Sequence, residues 1–534
     1  MRGRRGLVVA VAVVALLGAG CSGDDADEGA ADGGAPAGAT TAAPAGTTVG
    51  ERVELTPLQA ADGRIVDAEG RDVLLRGVNV TSLGEYWQGD ADHPPTQPMT
   101  DADWDEMAAH GFSVVRLVIT WSRVEPVRGE IDQAYLDEVE AYVDAAAERG
   151  IFTVIDMHQD AYSAFIATED AGECEPGTEP GKGWDGAPEW AVITDGASTC
   201  ITGDRNSAPA VVNAWNHFYD DTDGIRTRFT AAWAAVATRF AGRPEVAGYD
   251  LLNEPEVSRP GAELEARYDA LIGETVTAIR DAEAAAGADF EHLVFVEPAI
   301  PAGDVTFGIV IPDPERIGVP ASNVVAAPHN YAESIQQGPT VEATNELYVS
   351  VADGLGVPTW IGEYGWWDTS DESLEEATRM AADLDARGLG GAWWQWRQPC
   401  GDPHSIPWGG WGATEPGSEV VTHLHRLGCP GDVDLGPTEE LLAIVGRGYP
   451  RATPGRLDEL TSDPATGAMA LRASGAEPGQ VLIAWTPTTE ADAALVHDGL
   501  VDVEAHAVPG GRLVTATVDR ADYSFEVEPT GDGG

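Results

Sequence analysis

Short apolar runs rich in β-branched residues alternate with amphipathic stretches through most of the chain. Eight such runs lie at residues 73–80, 114–120, 153–158, 248–253, 293–297, 324–329, 359–363 and 391–396. Helical patterns lie between them, for example at 134–148, 225–240 and 262–284. Alternation of strands and helices favours parallel strand pairing. Eight units therefore predict an α/β fold with a closed (β/α)8 TIM barrel.

The pattern changes after residue 452. Strand-like runs at 469–473, 480–485, 512–518 and 523–527 are separated by Gly, Pro and Asp. Short strands with such turn residues are typical of an all-β domain. We therefore assign residues 53–452 to the barrel and residues 453–534 to a C-terminal β-sandwich domain.

The N-terminus has the features of an export signal. Basic residues open the chain, and the apolar stretch at 6–17 is too short for a permanent membrane helix. Residues 17–21 (LGAGC) resemble a bacterial lipobox, although Gly18 stands where Leu is usual. This resemblance implies a signal peptide at 1–21, a lipidated Cys21 and an enzyme anchored outside the cell membrane. Secretion with simple cleavage is the alternative.

Residues 22–52 are mainly Ala, Gly, Thr, Asp and Pro, which predicts a disordered spacer. The net charge of −58, from 89 acidic and 31 basic residues, argues against a nucleic-acid partner. The same charge provides no attraction to anionic lipid heads. Membrane association is therefore expected through the N-terminal anchor.

Two long connections, from 161 to about 222 and from 397 to about 442, follow the third and eighth strand-like runs. Loops of this length are usually functional. Each contains two of the four cysteines that remain if Cys21 carries lipid. Three disulfide pairings are possible, and the local one joins Cys174 to Cys200 and Cys400 to Cys429. No CxxC spacing occurs, so we expect no zinc site.

Two glutamates each follow a short apolar run and precede a loop. They are Glu254, in the sequence YDLLNEP, and Glu363, in the sequence TWIGEYG. Acids at the carboxyl ends of barrel strands are how such folds build active sites. Two carboxylates that face one cleft are suited to cutting a glycosidic bond, because one supplies a proton and the other is charged.

Six motifs occur in order around these glutamates. They are 75–79 (LRGVN), 111–116 (GFSVVR), 156–160 (DMHQD), 253–255 (NEP), 329–331 (HNY) and 362–365 (GEYG). Together they resemble glycoside hydrolase family 5, a family of retaining barrel enzymes. The DMHQD motif with the YS that follows, and YPRA at 449–452 before a C-terminal β domain, are similar to the endoglycoceramidases. Those enzymes cut the intact glycan from ceramide.

The resemblance implies that Glu254 is the general acid/base and Glu363 the nucleophile. We expect the neighbouring negative charge to raise the pKa of Glu254 so that it holds a proton. Arg116 would lie beneath the nucleophile, although a structural salt bridge is the alternative. Tyr331 would donate a hydrogen bond to Glu363, and Asn253 would hold the 2-hydroxyl of the sugar.

Four further residues are implied in the sugar subsite next to the cleaved bond. His158 and His329 would contact this sugar, and Trp396 would form the floor on which it stacks. Asp160 would bind the same sugar, with an exposed loop aspartate as the alternative. Without the resemblance, His329 would be interpreted as a core histidine.

The sequence therefore predicts a retaining endo-β-glycosidase that releases oligosaccharide from the ceramide of glycosphingolipids. Its partners would be a glycolipid or oligosaccharide substrate and the membrane, and we expect a monomer with no metal and no cofactor. The alternatives are a family 5 enzyme acting on glucosylceramide, sterol glucoside or β-glucan, and an inactive carbohydrate-binding lipoprotein. Five residues are candidates for a lipid groove, although core packing would require the same residue types: Tyr162, Phe165, Ile166, Trp366 and Trp367.

Overall fold

The computed structural model describes residues 53–88, 92–168, 170–257, 262–301, 311–336, 338–404, 423–429, 431–487 and 493–529. The predicted signal peptide, the lipidated Cys21 and the spacer to residue 52 lie outside these residues. Within the described parts of the chain, no helix combines the length and the apolar character needed to cross a bilayer.

Eight parallel strands form the central sheet, which confirms the predicted strand–helix alternation. The strands are β1 (Arg76–Val80), β2 (Val114–Thr120), β3 (Phe152–His158), β4 (Val246–Asp250), β5 (Leu293–Val296), β6 (Val324–Ala326), β7 (Trp360–Tyr364) and β8 (Gly390–Trp393). The helices are α1 (Asp101–Ala109), α2 (Trp121–Val124), α3 (Gln133–Ala147), α4 (Pro209–Tyr219), α5 (Ile225–Phe240), α6 (Ala262–Ala286), α7 (Pro314–Ile317), α8 (Val341–Leu355), α9 (Asp371–Arg387) and α10 (Glu439–Val445).

The strand order in this sheet is β6-β5-β4-β3-β2-β1-β8-β7, and every pair is parallel. Single parallel bridges from Ala326 to Thr359 and from His329 to Glu363 connect β6 with β7. The two ends of the sheet therefore meet. All carboxyl ends of the strands lie at one mouth, where a barrel enzyme places its active site.

The barrel strands are almost wholly buried, and helices cover the outside of the sheet. In α3, the Asp132 carboxylate accepts hydrogen bonds from two amides of the first turn, which begins the helix. The side chains of α3 that recur at helical spacing, such as Leu136, Val139 and Val143, are buried. Close strand packing explains Gly77, since a Cβ there would lie 1.7 Å from the carbonyl oxygen of Val114.

A short hairpin precedes the barrel. Its strands, Gln59–Ala61 and Arg64–Val66, are antiparallel. Ala60 and Ile65 belong to the same buried cluster as Leu75, just before β1. That cluster also holds residues from the starts of several other barrel strands. The hairpin therefore covers the end of the barrel opposite the mouth.

Two four-stranded antiparallel sheets form the C-terminal region. Their strands are β9 (Tyr449–Ala452), β10 (Arg456–Ser462), β11 (Met469–Ser474), β12 (Val481–Thr486), β13 (Ala494–Asp498), β14 (Leu500–Val508), β15 (Gly511–Val518) and β16 (Tyr523–Glu528). The strand orders are β9-β12-β15-β14 and β10-β11-β16-β13. Side chains of both sheets share one core, which includes Leu471, Ile483 and Phe525.

The C-terminal sheets pack directly against the barrel. The Trp485 indole N–H donates to the carbonyl of Gly446, 2.9 Å away, and the Tyr449 hydroxyl donates to the carbonyl of Gly111 at 2.7 Å. Strand β9, at 449–452, lies just before the boundary that the sequence pattern suggested at residue 453. This strand therefore connects the two parts of the chain.

Candidate active site

Glu254 and Glu363 meet at the mouth of the barrel. Glu254 lies four residues beyond β4, and Glu363 is near the end of β7. One oxygen of each carboxylate and one nitrogen of His329 all lie within 4.8 Å of one another. The Glu254 side chain is 44% exposed and that of Glu363 only 5%. A ligand in the mouth can therefore reach Glu254 from solvent while Glu363 stays fixed in the wall.

Three side chains hold Glu363. The Arg116 guanidinium donates to Oε1 at 2.6 Å, and the Tyr331 hydroxyl donates to Oε2 at 2.8 Å. His329 Nδ1 lies 3.4 Å from Oε2. Both carboxylate oxygens therefore have a donor that orients them, as the sequence resemblance implied for Arg116 and Tyr331.

Arg116 connects several buried acids beneath the mouth. Its guanidinium also contacts Asp250 at 2.8 Å, Glu297 at 2.9 Å and Asp156 at 3.0 Å. Burial lowers the pKa of Arg116, but the charges of these acids outweigh burial and raise it well above its ordinary value. Burial raises the pKa of Asp250 well above its ordinary value despite the nearby Arg116. A proton on Asp250 would reduce the excess of negative charge.

Glu254 is paired with His329. The carboxylate lies 2.9 Å from His329 Nδ1, and the Glu254 backbone has a φ of +37°. Partial burial raises the pKa of Glu254, but the hydrogen bond and charge of His329 outweigh this effect and lower it. The expected raised pKa is therefore wrong for this arrangement. The sequence argument counted the negative charge of Glu363 but not the cation that lies between the two acids.

The acids around His329 favour its protonated form. Burial lowers its pKa, but the charges of Glu297 and Glu363 and the hydrogen bond to Glu254 raise it well above its ordinary value. The proton that a general acid needs therefore lies one hydrogen bond away from Glu254. Movement along that bond would place it on the Glu254 carboxylate.

His158 and an adjacent tryptophan line the mouth beside the two glutamates. The His158 ring stacks on Trp394, with centroids 5.4 Å apart and planes 16° from parallel. His158 Nδ1 lies 2.7 Å from the Asp156 carboxylate. Burial lowers the pKa of His158, but the charges of Asp156 and Asp185 and the Asp156 hydrogen bond raise it to about 9.

Trp394 takes the position that the sequence assigned to Trp396. Trp394 packs with Tyr331, the hydrogen-bond donor to Glu363. Trp396 is 1% exposed, and its indole N–H donates to Asp103 of α1 at 3.0 Å. The assignment of Trp396 as the subsite floor is therefore wrong. The resemblance placed Trp396 at the end of the eighth strand, but that strand ends at Trp393.

Asp160 is buried rather than exposed on a loop. Its carboxylate bonds to the Arg205 guanidinium and lies 2.7 Å from His404 Nε2. Burial opposes its ionisation, but the charge of Arg205 and the His404 hydrogen bond hold the Asp160 pKa well below its ordinary range. The Arg205 guanidinium also lies 3.8 Å above the Trp184 ring. These contacts form a polar wall from the loops after β3 and β8.

Asn253 precedes the acid/base candidate and is 1% exposed. Its side-chain oxygen accepts from Arg116 at 3.0 Å, and its amide donates to the Gln159 carbonyl at 3.1 Å. The structure thus brings Asn253 into the same network as Glu363. Its contact with a sugar hydroxyl stays a prediction.

Each of the two long loops that carry this polar wall contains one disulfide. Cys174 pairs with Cys200 in the loop after β3, and Cys400 pairs with Cys429 in the loop after β8. This is the local pairing among the three possibilities. His404 lies inside the second closed loop, four residues after Cys400.

The apolar candidates for a lipid groove separate into two groups. Tyr162, Ile166 and Trp366 are at most 3% exposed and belong to the main core, so they do not line a groove. Phe165 is 46% exposed, and Trp367 is half-buried against the Tyr331 ring. Only these last two candidates are therefore accessible near the mouth.

Several site residues were not predicted from the sequence. Asp156 and Asp250 are acids inside buried strands, and Glu297 follows the apolar strand β5. An isolated acid in an apolar run could have indicated a site residue, because a buried charge requires a partner. Arg205 and His404 lie in irregular loops, where no periodic pattern indicates a position. Although Asp156, Asp250 and Glu297 are close enough to share a metal ion, Arg116 contacts all three.

Comparison with known sequences finds a matching family model and similar proteins. The family model described as cellulase (glycosyl hydrolase family 5) matches residues 66–399. Endoglycoceramidase I of Rhodococcus hoagii (strain 103S) is 26% identical over 504 residues, which cover 87% of this chain and 86% of that protein.

Solved structures show the same similarity. A crystal structure of endogalactoceramidase aligns with a TM-score of 0.78 and 35% identity, covering 89% of this chain and all of that one. Endo-glycoceramidase II from Rhodococcus sp., solved as a lactosyl-enzyme intermediate, aligns with a TM-score of 0.65 and 26% identity over 88% of this chain and 100% of that chain. Its complex with ganglioside GM3 has a TM-score of 0.63 and 25% identity over the same shares of the two chains.

Proposed function

Because the chain belongs to glycosyl hydrolase family 5, we propose that it is a retaining endo-β-glycosidase that hydrolyses the bond between the oligosaccharide and ceramide of glycosphingolipids. The observation that carries this proposal is the placement of Glu254, His329 and Glu363 within 4.8 Å of one another at the barrel mouth. A glycosidase needs a proton donor and a nucleophile on the two sides of one bond.

The short distance between the two carboxylates supports retention of configuration. Retaining enzymes hold their carboxyl groups about 5–5.5 Å apart, whereas inverting enzymes leave about 6.5–9.5 Å for a water molecule. In the first step, Glu363 bonds to the anomeric carbon as the bond to the ceramide oxygen breaks. The proton shared by His329 and Glu254 moves to that oxygen. Water deprotonated by Glu254 then releases the glycan. The lactosyl-enzyme intermediate of the Rhodococcus sp. relative supports this route.

The ceramide part of the proposal is supported by the relatives and by the surface of the mouth. Proteins named as endoglycoceramidases align with nearly nine-tenths of this chain, and one of them binds ganglioside GM3. The half-buried Trp367 provides apolar surface beside Tyr331 for a lipid chain, and the exposed Phe165 provides more in the loop after β3.

We further propose that the enzyme is exported as a monomer and anchored through lipid on Cys21. In this proposal, the two C-terminal antiparallel sheets form the β-sandwich that the sequence predicts. Labelling of producing cells with a radioactive fatty acid tests the anchor. We expect label on the wild-type protein and none on Cys21→Ser. Equal labelling of both proteins would contradict lipidation at Cys21.

Mass spectrometry of the products tests the function. The protein is incubated separately with a ganglioside and with glucosylceramide. Intact oligosaccharide and free ceramide are expected from the ganglioside. Glu363→Gln should abolish turnover and retain the fold, because the amide cannot act as the nucleophile. The matched control is Glu342→Gln. Glu342 lies on α8 and forms an ion pair with Arg379 on α9, so this variant should remain active.

Other products would support one of the alternative functions. Glucose from glucosylceramide with an intact ganglioside would indicate an enzyme for short glycans. A sterol glucoside and a β-glucan are tested in the same way. Cleavage of only one of these two would identify the enzyme as a sterol glucosidase or a β-glucanase. Binding of glycans without cleavage of any of these substrates would indicate an inactive carbohydrate-binding lipoprotein.

A further inference from the structure

Glu297 follows β5 and connects three parts of the active site that the sequence did not associate with it. Its side chain is 2% exposed. Oε2 accepts a hydrogen bond from the backbone N–H of Glu254 at 2.8 Å, and Oε1 accepts one from Arg116 at 2.9 Å. His329 Nε2 lies 3.2 Å from Oε1. The Glu297 carboxylate thus contacts the backbone of Glu254, the side chain of His329 and the guanidinium of Arg116.

The contact with Glu254 is made where the backbone is strained. A φ of +37° lies in the left-handed region, which is unfavourable for a non-glycine residue and requires support from its surroundings. Two side chains provide this support. Glu297 accepts from the Glu254 N–H, and the Gln159 amide donates to the Glu254 carbonyl at 3.0 Å. The peptide groups on both sides of Glu254 are therefore held.

The charge of Glu297 acts on the proton between His329 and Glu254. His329 lies between Glu297 on its Nε2 side and Glu254 and Glu363 on its Nδ1 side. Among the described residues, other charged or titratable groups also face Glu297: Arg116, Asp156, Asp250, Tyr268 and Tyr348. Burial lowers the pKa of His329, and the Glu297 charge is the largest influence that raises it.

We propose that Glu297 is a positioning residue that fixes the Glu254 backbone for proton transfer and keeps the transferable proton on the His329–Glu254 pair. This inference rests on the proposed function, because the acid/base role of Glu254 belongs to it. During bond cleavage this proton moves to the glycosidic oxygen, which leaves neutral His329 and ionised Glu254. Glu297 acts only through these neighbours. Burial raises its pKa, and the charges of His329 and Arg116 favour its ionised form.

Glu297→Gln tests the charge. The amide keeps the shape of the side chain but removes the negative charge beside His329, so the His329–Glu254 pair releases its proton more easily. The alkaline limb of the kcat/KM profile should therefore move to lower pH, by about 1 unit for a charge at this distance. We expect kcat to fall about 10–100-fold, which is less than the whole contribution of general acid catalysis of about 10²–10⁴-fold, with KM nearly unchanged.

Glu297→Asp separates charge from position. It retains the carboxylate but is one methylene shorter, so it cannot reach both Arg116 and the Glu254 N–H as Glu297 does. The alkaline limb should stay within about 0.3 units of wild type, since the charge remains. The value of kcat should still fall because the Glu254 backbone loses its acceptor.

An activated substrate distinguishes proton transfer from general damage. An aryl β-glycoside with a good leaving group needs little protonation as its bond breaks. If Glu297 acts through Glu254, Glu297→Gln should reduce cleavage of this substrate much less than cleavage of the ceramide glycoside. A purely structural role would reduce both rates by the same factor.

Glu283→Gln is the matched control. Glu283 is also a buried glutamate bonded to a histidine and an arginine, His292 at 2.6 Å and Arg280 at 2.7 Å, but it lies outside the mouth. This control should lower the melting temperature without moving the pH profile.

Two outcomes must be kept apart. Glu297→Gln with a wild-type alkaline limb and an equal loss on both substrates would overturn this inference and leave the glycosidase function intact. A wild-type protein that cleaves no glycoside would overturn the proposed function itself.

Discussion

Trp394 and Trp396 are two residues apart but have different neighbours. Trp394 stacks on His158 and packs with Tyr331, whereas Trp396 bonds to Asp103 within the core. Both are nearly buried, so exposure alone does not distinguish them. The partners of each indole place Trp394 beside the residues of the mouth and Trp396 against α1, so we expect Trp394 to affect sugar binding and Trp396 to affect stability.

The two positions predict opposite effects of the same substitution. Trp394→Phe should lower kcat/KM about 10-fold, since the loss of part of a stacking surface corresponds to about 1.4 kcal/mol. Trp396→Phe should lower the free energy of unfolding by about 2 kcal/mol, because the Asp103 carboxylate loses a buried donor. Enzyme kinetics and denaturant unfolding of both variants provide the measurement. A larger kinetic loss in Trp396→Phe would restore the assignment made from the sequence.

At the scale of elements, the two long loops build one wall of the site. The loop after β3 supplies Arg205, and the loop after β8 supplies His404, and both bond to Asp160. Each loop is closed by one disulfide. The Cys400–Cys429 bond encloses His404, whereas Arg205 lies outside the loop that Cys174 and Cys200 close.

Removal of the Cys400–Cys429 bond should affect both stability and activity. A closed loop of this length contributes about 3.5 kcal/mol by the chain-entropy estimate, so the double Ser variant should melt at a lower temperature. Its kcat/KM should also fall, because His404 follows Cys400 by four residues and would hold Asp160 less firmly. Thermal melts and kinetics on the proposed glycolipid would show both effects.

The matched control is Cys174→Ser/Cys200→Ser, since that loop has nearly the same sequence separation, 26 residues against 29. Its stability loss should be similar. Unchanged kcat/KM in the Cys400→Ser/Cys429→Ser variant would show that His404 keeps its place without the bond.

Periodic elements could be predicted from the sequence, and irregular ones could not. The predicted helix at 225–240 coincides with α5, because its buried positions recur at helical spacing. The sequence did not predict β13 and β14, whose residues are mostly exposed and lack an apolar run. Edge strands of this kind depend on pairing with distant neighbours rather than on their own pattern.

The same contrast applies to the site. Glu254, Glu363 and Tyr331 lie at or just beyond strand ends, so the order of strands alone brings them to one mouth. Arg116 lies inside β2, beneath that mouth. The charge on His329 and the lowered pKa of Glu254 depend on distances among several strands. No local pattern contains those distances, which is why the expected protonation of Glu254 was wrong.

For the whole molecule, the net charge of −58 conflicts with a substrate that lies in a membrane. A negative surface is repelled by anionic lipid heads, and this repulsion extends about 30 Å at 0.01 M salt but only about 8 Å at 0.15 M. A covalent lipid anchor would hold the enzyme at the membrane despite this repulsion. An enzyme that lacks the anchor has only its apolar contacts with the glycolipid to oppose it.

This conflict predicts how the anchor-free protein, residues 53–534, will act on a ganglioside in vesicles. In vesicles with about one-third phosphatidylserine, initial rates should be low at about 0.01 M NaCl and rise severalfold at about 0.15 M as the repulsion is screened. Vesicles of phosphatidylcholine with the same small amount of ganglioside should show a much weaker dependence on salt. A soluble aryl β-glycoside is the control for any direct effect of salt on the active site. Equal salt dependence in both kinds of vesicle would mean that the approach to the membrane is not governed by the charge of the protein.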